Sequence, residues 1–144
     1  MTDKRIHASA IDLAFQKHQT PVGDLFVAAR HGRMKRCFSR DTAIRHLAHF
    51  LTSHAFASSG FAERHPDTRE VSQGGEVWVR GPVTLEYSRA HQRTVRRLRR
   101  MLASKREAQK WLTKWDAMHD RYVKERAELQ SSKPAGVRNG SQHI

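Results

Sequence analysis

Acidic residues are scarce in this chain, and cysteine is nearly absent. Fourteen Asp and Glu stand against 27 Lys and Arg in 144 residues, a formal charge of +13 with His neutral; the isoelectric point lies near 11.0. Such an imbalance bears on partners and association rates rather than on fold, and it favours polyanions. The single Cys37 excludes an intramolecular disulfide and points to a reducing compartment. No run approaches the ~18 apolar residues of a membrane span. Residues 1–15 carry Asp3, Lys4, Arg5, His7 and Asp12 and hold no apolar stretch of signal-peptide length. The expectation is a soluble, cytoplasmic protein with no membrane association. Glycine and proline, 8 and 4 residues in all, are missing entirely between Leu85 and Gln130, so nothing there breaks a helix.

What is present is unevenly placed. Residues 83–110 hold nine basic and two acidic side chains, whereas residues 111–130 hold four of each. The positive field is therefore concentrated on one element. At about 100° per residue, Arg89, Arg93, Arg96, Arg97 and Arg100 fall within one arc of roughly 100°, with Val95, Leu98, Met101 and Leu102 opposite. Past that point the apolar stripe moves to Trp111, Trp115, Met118 and Tyr122, further than the ~20° per heptad that supercoiling explains. Ser104-Lys105-Arg106-Glu107 has the form of a capping box. The segment from 84 to 130 is thus read as one long helix, kinked or changing partners, or as a helical hairpin broken at Ser104, with the single helix favoured.

Upstream the periodicities are shorter. A short helix is predicted over 6–18, closed by the turn chemistry of Thr20-Pro21-Val22-Gly23. From Leu25 to Phe38 the period is two, and His31-Gly32 sits where a two-residue hairpin turn belongs. That register pairs Phe26 with Cys37, Ala28 with Lys35 and Arg30 with Arg33. One face carries Leu25, Val27, Ala29, Met34 and Phe38, and the other Phe26, Ala28 and Cys37 with the basic tip. Ser39 is a candidate cap for a helix over 41–57, whose Ile44, Leu47, Ala48, Leu51 and Ala55 form an apolar stripe with Phe50 at its edge. Residues 62–75 read as a loop, and Val77-Trp78-Val79 as a short strand extending the hairpin. The predicted fold is α+β: a small hairpin or sheet packed on an amphipathic helix, followed by a long basic C-terminal helix or helical hairpin. Residues 1–130 are read as one globular domain, comprising hairpin plus helix (24–57) and helical segment (84–130); 131–144 is a tail of disordered composition.

The arginine arc is the leading candidate site. Its one-sided spacing, and the preference for Arg over Lys, suit planar, bidentate recognition of phosphates. Arg30, Arg33 and Lys35 at the hairpin tip are added to it, because like charges placed opposite one another lose stability unless an anion sits between them. Trp111, Trp115, Met118 and Tyr122 form a candidate core or protein interface, with homodimerisation an option in this charge-balanced stretch. Cys37, His46, His49 and His54 are the nearest approach to a metal set, but their helical spacing separates them and no CxxC or HExxH pattern is present. Gly74-Gly75 lacks the Lys and Ser/Thr of a phosphate-binding loop. No enzyme activity, metal or cofactor is expected.

Gly32-Arg33-Met34-Lys35-Arg36-Cys37-Phe38-Ser39 leading into Ala43-Ile44-Arg45-His46-Leu47-Ala48-His49-Phe50, with Lys114-Trp115-Asp116-Ala117-Met118-His119-Asp120-Arg121-Tyr122 further on, resembles small accessory proteins of enterobacterial prophages and related mobile elements. The resemblance covers most of residues 24–129. It implies a context, a phage or satellite accessory protein in a bacterial cytoplasm, and brings no activity or site residues with it. Together these features predict a non-enzymatic protein that binds nucleic acid, DNA or RNA, through an arginine-rich helix face. The alternative is an adaptor or inhibitor that engages an acidic host or phage protein through the basic helix and the Trp111/Trp115 stripe.

Overall fold

The computed structural model describes residues 4–7, 9–138 and 140. Its architecture is α+β. A three-stranded antiparallel sheet is built from β1 (Phe15–Thr20), β2 (Gly23–Arg30) and β3 (Arg33–Cys37). A two-stranded ribbon pairs β4 (Thr68–Ser72) with β5 (Gly75–Val79), and the helices are α1 (Ala10–Ala14), α2 (Arg40–Ser59) and α3 (Leu85–Ser131). By their contacts the residues form two compact units, Met1–Ser104 and Lys105–Ile144. The division between them falls inside α3.

The predicted hairpin register is observed. Phe26 pairs with Cys37, Ala28 with Lys35 and Arg30 with Arg33. His31 and Gly32 have φ of 53° and 75°, the paired left-handed residues of a turn whose twist matches its strands. The helix predicted over 6–18 is corrected: within the described residues only Ala10–Ala14 is helical, and Phe15–Thr20 is a strand against β2. Phe15 opposes Ala28 and packs on Phe26 at a ring separation of 6.0 Å. That tertiary pairing overrides a local sequence that favours neither state.

Ser39 caps α2 through its side chain, which accepts from the Thr42 N–H at 3.4 Å, and Gly60 ends it in the left-handed conformation. The helix is buried around most of its girth because it is covered from two sides. Ala28, Ile44, Leu47 and Ala48 lie in the core with Val95 and Leu98 of α3. Ile44 and Leu47 are fully buried, each contributing ~1.5–3 kcal/mol by apolar burial. Ala28, Ala43 and Ala48 have no measurable exposure, so the helix and the sheet approach closely. The consequence is that the sheet buries the sparser of its two faces. Phe26 and Ala28 are inside, while Met34 and Phe38 on the more apolar face are 56% and 63% exposed.

One further element differs from expectation. Val77–Val79 is a strand but does not extend the hairpin; it pairs with Thr68–Ser72, which the sequence presents as loop. Every residue of that ribbon is exposed, so no face is selected for apolar side chains and the alternation that marks a strand is absent. Helix α3 runs through Ser104 without a break, so the Ser104–Glu107 capping box starts no new helix. The predicted tail falls partly outside the described residues, which omit 139 and 141–144. In its described part the Ser132 N–H donates to the Glu128 carbonyl at 3.1 Å, and the Val137 N–H to Pro134 at 3.4 Å.

The choice of buried face is testable by urea unfolding. Leu47→Ala is expected to cost ~2–5 kcal/mol, while Met34→Ser and Phe38→Ser stay within ~0.5 kcal/mol of the parent. The reverse ranking would place the core on the other face of the sheet.

Candidate nucleic-acid interface

Polar contacts join the first half of α3 to α2 at several points. The His49 ring shares a hydrogen bond with the Tyr87 hydroxyl, Thr52 donates to Thr94 at 3.4 Å, and Nε2 of His91 donates to the Arg45 carbonyl at 3.1 Å. Val95 and Leu98 fill the apolar part. Thr84 starts the helix, its hydroxyl oxygen accepting from the Tyr87 N–H at 3.2 Å. With that phase set, 3.6 residues per turn place Arg89, Arg93, Arg96, Arg97 and Arg100 on the far side, and all five are exposed. Arg93, Arg96, Arg97 and Arg100 line one open concavity together with Thr94 and Arg99.

Arg99 and the arc have different fates. Arg99 forms an ion pair with Asp41 at the start of α2, where Arg45 also binds at 2.8 Å. These hydrogen bonds from Arg45 and Arg99 hold the Asp41 carboxyl below the ordinary carboxylate range. Among the described residues none of the five arc arginines has an acidic partner.

The three basic residues of the hairpin tip do not act as one group. Arg30 borders a cleft that also holds Arg97 and Met101 above an apolar floor of Ile11, Leu47 and Leu51, so the structure brings it to the arc. Arg33 leaves on the other flank of α2, with its guanidinium over the Phe50 ring at 5.1 Å. Lys35 lies close enough to His46 to depress its protonation, after burial, the larger cause. Between them His31 stacks flat on His54, with centroids 3.6 Å apart. The tip therefore straddles α2. The like-charged pair Arg30 and Arg33 is relieved by divergence, and no anion between them is required.

A second polar cleft was not legible in the sequence. On the flank that Arg33 reaches, Glu63, Arg64 and Arg80 converge on His49, Ser53 and Tyr87. Its walls come from a short backbone pairing: the His65 N–H donates to the Pro82 carbonyl and the Thr84 N–H to the Glu63 carbonyl, each at 2.9 Å. Gly81 is required at this crossing, because a Cβ there would lie 1.8 Å from the His65 carbonyl oxygen. Burial, then Arg33, lowers the His49 pKa, so the ring is neutral at pH 7. Burial, then Glu63, raises that of Tyr87. The only local signal was Gly81-Pro82; Arg64 and Arg80 are too far apart in sequence for a motif.

The proposed protein-interface residues lie in the second unit. Trp111 and Trp115 stack on each other at 5.4 Å and are 59% and 47% exposed. Met118 and Tyr122 are exposed too, so this stripe is not core within the chain. His46, His49 and His54 face Phe50, Tyr87 and His31 respectively. Among the described residues no three His, Cys, Asp or Glu side chains gather as a metal set. Within the same residues no helix is long and apolar enough to cross a membrane. No family model matches the chain, and searches of curated proteins and of solved structures found no similar one.

The neutral His49 has a consequence for stability. A histidine whose pKa is lower in the fold than in the unfolded chain contributes fully above ~6.5 and loses that contribution as pH falls toward the folded value. Unfolding free energy should therefore decline as pH falls below about 6.5, with a smaller slope in His49→Gln. An unchanged slope in that variant would assign the titration to other groups.

Proposed function

We propose that this protein binds nucleic acid by sequence-tolerant phosphate contacts from the outward face of α3. The observation that carries the reading is a cluster of five exposed arginines without acidic partners, beside an Arg99 that does have one. From Arg89 to Arg100 the helix rises ~16 Å, at 1.5 Å per residue. That spans about five nucleotide steps of one duplex strand at 3.4 Å each. Arg30 adds a contact from the hairpin tip across the cleft that it shares with Arg97. The proposed setting is the bacterial cytoplasm, with the protein acting as an accessory factor of a prophage or mobile element and carrying out no chemistry of its own.

Counterion release sets the test. If four or five phosphates are neutralised on duplex DNA, log K against log salt should have a slope near −4, at about −0.9 per phosphate. Charge reversal at Arg96→Glu and Arg100→Glu should remove binding at 150 mM salt and leave the unfolding transition in place, because both side chains are in solvent. Retained affinity in the double variant would remove the arc from the mechanism.

A specific observation favours a second reading, a protein-binding adaptor: the exposed Trp111–Trp115 stack, of the residue type that anchors interfaces. Trp111→Ala with Trp115→Ala is expected to leave the melting temperature within about 2 °C of the parent, as for surface substitutions. In sedimentation the parent should then show a complex, with itself or with an acidic partner, that the double variant does not form.

A further inference from the structure

The cleft on the Arg33 flank of α2 has no part in the arc, and its charges are unbalanced. Three guanidinium groups border it, each from a different stretch of chain: Arg33 on β3, Arg64 after α2, and Arg80 after β5. Glu63 is the one carboxylate in the lining, and it accepts a hydrogen bond from the Ser53 hydroxyl. Among the described residues none of the three arginines forms an ion pair. Arg64 donates one N–H to the Gly81 carbonyl at 2.9 Å, which orients its guanidinium and leaves other donors unused. Arg33 is held by the Phe50 ring. Both Arg33 and Arg64 act electrostatically on the Tyr87 hydroxyl at the cleft wall.

Like charges drawn together by backbone that has other reasons to be there form a site for an anion. Three arginines against one carboxylate leave a surplus of two positive charges, the charge of a phosphate monoester near neutral pH. Planar guanidinium forks approaching from separate directions suit a tetrahedral oxyanion better than a single flat carboxylate, which one fork satisfies. We propose that this cleft binds a phosphate group, either free phosphate or the terminal phosphomonoester of a nucleic acid strand. The site is distinct from the arc and does not depend on the arc's function. Tyr87 and His49 serve it as walls: they bond to each other, and both are held in their neutral forms.

The test uses the full chain. Inorganic phosphate is titrated at constant ionic strength while the His49 and Tyr87 resonances are followed by NMR, with acetate as the competing anion class. Phosphate should move both resonances saturably, and acetate should not. Arg80→Gln, which removes a side chain with no partner among the described residues, should weaken binding about tenfold or more, as loss of a charge-assisted hydrogen bond does. Arg96→Gln with Arg100→Gln should leave the phosphate response of the His49 and Tyr87 resonances unchanged. In that arc-neutralised background, a 5′-phosphorylated oligonucleotide that binds more tightly than its 5′-hydroxyl twin identifies the strand end as the source. Equal binding of the two with phosphate binding intact identifies free phosphate. Overturning results are equal response to acetate and phosphate, equal affinity in Arg80→Gln and the parent, or absence of any shift at His49 and Tyr87.

Discussion

The seating of Val95 and Leu98 against α2 is the contact on which the rest of the first unit depends. Two apolar side chains three residues apart fix the rotational phase of a helix. Once they are inside, Tyr87, His91 and Thr94 must lie along the same seam and find polar partners on α2, which they do. The five arc arginines must then face away. Arg99, between the two sides, is within reach of Asp41 and is neutralised there. One hydrophobic contact thus separates a structural arginine from five that remain available to an anion.

Helix α2 carries the corresponding burden for the sheet. Its alanines allow the close approach that buries Ala28 and Phe26, and its girth is wide enough to part the two arginines of the hairpin turn. Arg30 goes to the arc side and Arg33 to the cleft side. Electrostatic repulsion within the turn is resolved by geometry, with the Phe50 ring and the His31–His54 stack holding the separated side chains. A single turn therefore contributes to two positively charged surfaces.

Several features were readable because they are local. The hairpin register followed from a period of two around His31-Gly32, the start of α2 from Ser39, and the length of α3 from the absence of Gly and Pro. The arc followed from helical spacing alone. The ribbon β4–β5 was only half legible, since strands exposed on both faces show no alternation. Strand β1 was hidden because Gln16, Lys17, His18 and Gln19 become a strand only when β2 is beside them.

By itself, then, the sequence determined the α+β class, the turn and helix boundaries, and the one-sided concentration of charge; each is set by neighbours within a few residues. The tertiary structure decided which sheet face is buried, which arginine is paired, and that Arg33, Arg64 and Arg80 share a cleft. Those outcomes depend on close approach between segments distant in the chain, such as Gly81 crossing His65, and no local pattern of residue types encodes such a distance.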